Sequence, residues 1–356
     1  MDQIRKSDFI PHSRPTLGQK EAEAVARVIG SLQIAQGKTV RMFERVFAQR
    51  MGSAHAVCTS SGTAALHLTL LAMGIGEKDE VIIPSYVCTA LLNAVKYVDA
   101  TPVLAEIDPE TYNLDPEDVK NRLTRRTKAI IVPHLFGLPV NMDSLLALDV
   151  PIIEDCAQAV GSTYGQKYAG ALGNAAIFSF YATKVMTTGE GGMIVSDSKD
   201  FIDRVMDLRE YDNKDQYKIR FNYKMTDIHA AVGLIQLEQL ETFIRQRREI
   251  AEQYDQAFKS LGLQLPVKMP GHIYYRYIIG LGVDCIPWIR SLSEKGIACA
   301  RPVYLPLHRY IGLEGFPKTE IVWKQSLSIP IYPSLSKVDV NRVIKEIIST
   351  YEEKKR

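Results

Sequence analysis

What this chain lacks narrows the field first. Its 356 residues carry 43 basic and 41 acidic side chains, a net charge of only +2, with the two signs interleaved. A nucleic-acid-binding face needs a basic stripe or patch to neutralise phosphates, and none is present. No apolar run approaches the roughly 20 residues of a membrane span. The opening stretch, MDQIRKSDFIPHSRP, has no apolar core of the kind a secretory leader carries. A cytoplasmic protein with neither a membrane nor a nucleic-acid partner is therefore expected. Cysteine is sparse: Cys58, Cys88, Cys156, Cys285 and Cys299 lie far apart, with no C-x-x-C pair. That spacing argues against a zinc cluster or a disulfide framework and predicts reduced thiols, most of them buried as small hydrophobes. Two phosphate-binding fingerprints are missing as well. No G-x-G-x-x-G occurs, and QGKT (36–39) is not a P-loop, because Leu32 stands where the first glycine belongs.

What is present has the pattern of an α/β protein. Hydrophobic residues make up 46% and charged residues 24% of the chain, ordinary values for a globular protein with a large core. Seven short runs rich in β-branched residues lie between residues 55 and 197: HAVCTS, EVIIPS, TPVLAEI, KAIIVPHL, VPIIEDC, AAIFSF and GMIVSD. They are apolar almost throughout, as strands covered on both faces should be. Helical patterns separate several of them, such as GTAALHLTLLAMGIG, which sets Leu66, Leu70 and Met73 on one face and stops at Gly74. This alternation predicts a mainly parallel sheet, whose ligands gather at the carboxyl ends of the strands. A long helical pattern follows over 226–260. Glycine and proline in LGLQLPVKMPGH (261–272) then mark a boundary, dividing a large domain (1–260) from a smaller C-terminal α/β domain (261–356). The smaller part reads as a strand in YYRYIIGL, a helix near 284–295, an irregular RPVYLPLHRY and a last helix from about 337.

Three strand ends carry candidate chemistry. In TSSGTAAL, Ser61, Gly62 and Thr63 open a helix, where free N–H groups and the helix dipole suit an anion, or where a serine simply caps. In PIIEDCAQAVG, the adjacent Glu154 and Asp155 end a buried strand, so each needs a hydrogen-bonded or cationic partner; Gln158 follows. In FSFYATKVMTTGEGGMIVSD, Ser179 ends a strand and Lys184 precedes a turn containing Gly189, Gly191 and Gly192. A solvated surface lysine is the ordinary reading of Lys184 alone. Taken together, a phosphate cup, a carboxylate and a lysine are what pyridoxal 5′-phosphate requires: donors for its phosphate, an acid partner for its ring nitrogen, and an amine for its aldehyde.

The order and local context of these motifs resemble those of the DegT/StrS-type sugar-nucleotide aminotransferases, pyridoxal-phosphate enzymes of fold type I. The likeness runs nearly end to end, and EDCAQA followed by FSFYATK…GEGG is its most specific part. It implies a large domain with a mainly parallel seven-stranded sheet flanked by helices, and the following roles. Lys184 joins the cofactor and later moves protons; Asp155 pairs with the ring nitrogen; Gln158 approaches the ring hydroxyl. Ser61, Gly62, Thr63 and Ser179 hold the phosphate, and Asn222 reaches the neighbouring subunit's cofactor, which makes a homodimer. Relatives carry an aromatic residue over the ring where Cys88 stands here, so ring cover falls to Cys88 or Tyr86. Lys224 replaces an arginine. The implied substrates are L-glutamate and a nucleotide-linked 3- or 4-keto sugar, in amino-sugar and polysaccharide biosynthesis, with an aminocyclitol ketone as the alternative. Tyr181, Glu190, Tyr304 and His308 would border the sugar, Tyr304 and His308 having packing and a local hydrogen bond as their plain alternatives. A related dehydratase carries histidine in place of the lysine, which Lys184 argues against. A catalytically silent regulator would be expected to have lost some of these groups.

Overall fold

The computed structural model describes residues 9–355. The seven apolar runs form one sheet. In chain order they are β1 (His55–Thr59), β2 (Glu80–Pro84), β3 (Thr101–Ala105), β4 (Thr127–Pro133) and β5 (Ile152–Asp155). After a small antiparallel ribbon of β6 (Thr163–Tyr164) and β7 (Lys167–Tyr168) come β8 (Ala175–Ser179) and β9 (Gly192–Ser196). The spatial order is β1-β9-β8-β5-β4-β2-β3. Only β9 runs against its neighbours, pairing antiparallel with β1 and β8, and every other pair is parallel. The mainly parallel sheet is as expected. Six strands therefore end on one edge of the sheet, and β9 begins there, with Gly192 in register with both Thr59 and Ser179.

Helices cover the sheet because its strands are apolar on both faces; β2, β5, β8 and β9 are buried at every position. They are α1 (Gln19–Gly30), α2 (Lys38–Met51), α3 (Gly62–Ala72), α4 (Thr89–Tyr97), α5 (Pro116–Arg122), α6 (Met142–Leu146) and α7 (Lys199–Arg209). The 32-residue α8 (Asp227–Phe258) follows, capped by the Thr226 hydroxyl. Its first residue explains QGKT: the buried Asp227 carboxylate accepts from the backbone N–H of Gly37, Thr39 and Val40, so that stretch is a cap for α2.

The remaining elements are β10 (Tyr277–Gly280), α9 (Ile286–Glu294), α10 (Leu307–Tyr310), α11 (Pro317–Gln325), β11 (Ser326–Ile329) and α12 (Lys337–Lys355). Tyr254 and Phe258 near the end of α8 pack with β10, β11, α12 and Ile10 in one hydrophobic cluster. Ile10 exchanges two backbone hydrogen bonds with Gly296 and Ala298, tying the amino-terminal arm to this region. β10 is shorter than YYRYIIGL predicts. Tyr274 takes a left-handed conformation (φ +50°), which breaks the extended run before Tyr275. All five cysteines are unpaired and four are buried; Cys88 is exposed. No described helix is long and apolar enough to cross a membrane.

Candidate active site

The edge where the six strands end gathers the residues singled out from the sequence. At the end of β1, the Ser61 hydroxyl caps α3 by accepting from the Ala64 N–H at 3.1 Å, and Ala65 N donates to the Ser61 carbonyl. The N–H groups of Gly62 and Thr63 are left without a protein acceptor among the described residues, at the positive end of the helix dipole. Gly62 lies directly against Ser179: a Cβ on it would stand 2.9 Å from the Ser179 Cβ. Gly192 closes the same corner, because a Cβ there would stand 2.4 Å from the Ser61 carbonyl oxygen. Close approach of three backbone segments thus builds a small cup of N–H donors beside the hydroxyls of Ser61 and Ser179.

The three glycines after Lys184 have different causes. Gly189 needs only its conformation (φ +85°), with open space where a side chain would be. Gly191 is crowded by Met225 and Thr188, each 2.5 Å from a would-be Cβ, and Gly192 admits the Ser61 turn. Between the strands the chain folds back on itself. Phe180 N donates to the Gly191 carbonyl, Thr188 N to that of Phe180, and Lys184 N to that of Tyr181. Lys184 is half-buried, while Tyr181 and Glu190 are exposed at the rim.

The adjacent carboxylates of β5 separate because successive residues of a strand face opposite ways. Glu154 is consumed by structure: Oε2 accepts from His134 Nε2 (2.9 Å) and the Gly170 N–H, Oε1 from the N–H of Leu172 and Gly173. His134 Nδ1 accepts from the Val140 N–H. Glu154, His134 and the nearby Cys156 could geometrically hold an ion, but these hydrogen bonds already use the imidazole and carboxylate. Asp155 has one oxygen on the Ala157 N–H (2.9 Å). Burial pushes its carboxyl up from the ordinary value, against the pull of that hydrogen bond, of Lys184 and of His134. A buried carboxylate so placed is stabilised by a cation brought to its remaining oxygen. Gln158 accepts from the Phe136 N–H through Oε1 (2.8 Å), which aims its amide N–H₂ elsewhere.

The two candidates for ring cover stand in different places. Tyr86 is fully buried and stacks on Tyr112 in the core, outside the cleft. Cys88 precedes α4 in the cleft mouth, open to solvent yet walled by protein; the partial loss of water raises its thiol, Lys184 lowers it and Asp155 raises it further, so the three share one space. Asn222 is exposed, on a segment pinned to the β1 end by the Ser60 N–H donating to the Tyr223 carbonyl (2.7 Å). Lys224 pairs with Asp212. Tyr304 is 84% exposed. His308 is buried with both ring nitrogens engaged, Nδ1 with Ser85 Oγ (2.6 Å) and Nε2 with Glu320 Oε1 (2.8 Å), and it stacks on Phe316. The sequence reading missed Tyr275, whose ring faces Lys184 at 5.5 Å. No local signal marks it, since a tyrosine in HIYYRYIIGL reads as a strand residue.

The residues fit pyridoxal phosphate: an anion cup that a single Cβ would fill, a buried carboxylate with an oxygen to spare, and an amine beside it. A mainly parallel sheet with such a site at its strand ends defines the class of pyridoxal-phosphate transferases. The chain belongs to the DegT/DnrJ/EryC1/StrS aminotransferase family, whose model matches residues 15–348. It is 36% identical over 366 residues to GDP-perosamine synthase of Escherichia coli O157:H7, covering 97% of this chain and 100% of that protein. Among solved structures, aminotransferase TlmJ from Streptoalloteichus hindustanus superposes with a TM-score of 0.93 at 32% identity, over 98% of this chain and 100% of that one. The PLP-form of Spr1654 from Streptococcus pneumoniae superposes with a TM-score of 0.91 at 27% identity, over 97% and 99%.

Proposed function

We propose that this aminotransferase moves an amino group from L-glutamate to a nucleotide-linked sugar bearing a ketone at carbon 3 or 4, in the making of an amino sugar for a polysaccharide. The convergence of Lys184, Asp155 and the Gly62–Ser179 cup at one sheet edge carries the reading. The likeness to GDP-perosamine synthase supports the sugar nucleotide. When bound, pyridoxal phosphate supplies an electron sink that stabilises negative charge at the carbon next to the transferred nitrogen.

The protein's groups then divide the work. Lys184 would hold the cofactor through its ε-amine at the aldehyde carbon, with water as the leaving group, and the freed amine would serve as the base and acid that moves a proton between the two carbons. Asp155 would keep the ring nitrogen protonated, its own burial making it a poor lone anion and a good partner for a cation. The N–H groups of Gly62 and Thr63 and the hydroxyls of Ser61 and Ser179 would anchor the phosphate. Gln158 would donate its amide to the ring hydroxyl, and Cys88 would cover the ring. Asn222, exposed on a single chain, completes the phosphate site of a second copy, so the working unit is a homodimer. Tyr181, Glu190 and Tyr304 line the sugar side. His308 acts by fixing the loop from the small domain (261–356) onto Ser85 at the end of β2, which sets where Tyr304 stands.

Visible absorbance of protein reconstituted with pyridoxal phosphate, read before and after L-glutamate, tests this. A band that forms and then collapses establishes lysine chemistry and donor together, and a screen of keto sugar nucleotides follows. A band indifferent to glutamate overturns the donor; no band at all overturns the cofactor site.

A further inference from the structure

Two cations face one aromatic ring on the wall of the cleft, and a third holds its backbone. Lys184 Nζ lies 5.5 Å from the centroid of the Tyr275 ring, and Arg276 Cζ lies 5.3 Å from it. Arg247, buried behind them, donates Nη1 to the carbonyls of Tyr275 (3.1 Å) and Ile331 (2.9 Å), and its Nε is buried without a partner. Arg276 donates to the ring of His12, which is neutral because burial, then Arg276, lowers it to about 3. None of the three cations forms an ion pair with an acidic side chain among the described residues. The other groups that act on Lys184 across the cleft are the Asp155 carboxyl and the Cys88 thiol.

The ring itself is held firmly. Tyr275 is 5% exposed, and its hydroxyl is 3.5 Å from Thr183 Oγ1. The backbone is set by the left-handed Tyr274 before it and by Gly137, where a Cβ would stand 3.0 Å from the Tyr275 nitrogen. A left-handed residue other than glycine costs free energy and persists only where its surroundings fix it. Here it turns a side chain out of the β10 line and toward the reacting lysine.

We infer that Tyr275 is a positioning residue for Lys184: its ring is the seat over which the ε-amine is held at the cleft whenever that amine is not joined to a carbon. The inference rests on the reading of Lys184 as the reacting lysine. A lysine with four rotatable bonds that must attach, release and re-attach gains from a fixed resting place, since each unguided return costs side-chain entropy. A cation over an aromatic face supplies one without the strong pairing of a carboxylate, which would hold the proton too tightly for transfer. The phenol fits this role. Burial alone would raise it, but Lys184, Arg276, the Thr183 hydrogen bond and Arg247 together bring it down to about 8. It is therefore neutral below about pH 8 and anionic above, where it supplies the counter-charge that the cluster otherwise lacks.

The test uses apoprotein first. Ultraviolet titration of the phenolate band in the parent, with Tyr275→Phe subtracted, isolates one tyrosine with a midpoint near pH 8. Lys184→Ala and Lys184→Gln both move that midpoint upward, by about one unit or more. In the reconstituted enzyme, Tyr275→Leu lowers kcat about 2- to 30-fold, the span of a cation–π contact, with KM for the sugar within about twofold. Tyr275→Phe, which keeps the ring, recovers most of the loss. A midpoint that ignores both Lys184 variants, or a Phe variant as slow as the Leu variant, overturns the inference. The titration needs no cofactor, so a protein that failed to bind pyridoxal phosphate would sink the proposed function while leaving the Tyr275–Lys184 coupling to be judged separately.

Discussion

Replacing Gly192 by alanine puts a methyl group where the structure has no room, and the consequence reaches the cofactor site. The new carbon would lie 2.4 Å from the Ser61 carbonyl oxygen, 2.5 Å from its carbonyl carbon and 2.7 Å from Thr59 Oγ1, whereas ordinary contact starts at 3.4 Å. Something has to retreat by about 1 Å. β9 cannot give way easily, because it is hydrogen-bonded to β1 on one side and β8 on the other. The Ser61 turn moves instead, carrying the N–H groups of Gly62 and Thr63 away from Ser179. Overpacking of this kind costs about 1–3 kcal/mol, a fall in Tm of about 1–4 °C for a chain this long. Misplacing even one charge-assisted hydrogen bond, worth about 1.5–3 kcal/mol, weakens cofactor binding by roughly tenfold or more. The control is Gly189→Ala. Its methyl meets nothing within 4 Å, so it pays only the left-handed strain of about 1–2 kcal/mol and spares the cup. Spectroscopic titration of each apoprotein with pyridoxal phosphate gives the dissociation constants. If Gly192→Ala binds within about threefold of the parent, or if the two variants bind alike, the cup has been built from the wrong residues.

Three further outcomes are expected. Lys184→Ala abolishes turnover while Tm stays within a few degrees, because the half-buried side chain has no hydrogen-bond or ion-pair partner among the described residues; measurable transamination by that variant would refute its role. Mixing inactive Lys184→Ala and Asn222→Ala subunits restores part of the activity if Asn222 serves the partner's site, and a mixture as dead as its components rules that out. Glu320 is lowered to about 2, chiefly by its hydrogen bonds to Arg309, with burial opposing and His308 assisting. A carboxyl depressed in the fold contributes stability above its ordinary value of 4.5 and loses it as pH falls toward about 2. The contribution is small, because the side chain is 35% exposed. Tm measured across that acid range should fall less steeply in Glu320→Gln than in the parent, and identical slopes would refute the linkage.

Seven strands, their order in the chain and the long α8 were legible in the sequence. A strand covered on both faces must be apolar throughout, and a Thr-capped amphipathic run must be helical; both are local requirements written in local residues. The candidate cofactor residues were legible for a related reason. Chemistry at strand ends needs particular side chains at fixed offsets from an apolar run, as Asp155 and Ser179 show at the last positions of β5 and β8. The residue pattern alone left Glu154 and Asp155 equal, and only the family resemblance singled out Asp155, because the strand's pleat decides which carboxylate meets the Gly170–Gly173 N–H groups and which faces the cleft. Nor could that pattern separate the three glycines, since Gly192 is required by Ser61, a residue distant in the chain that only strand pairing brings alongside. His308 and Tyr275 make the same point in opposite senses. One was expected either at the sugar or in a local hydrogen bond, and packing gives it Ser85 and Glu320; the other was read as strand and faces Lys184 because Tyr274 is left-handed. Local pattern sets which element a residue joins, but long-range packing sets what its side chain meets.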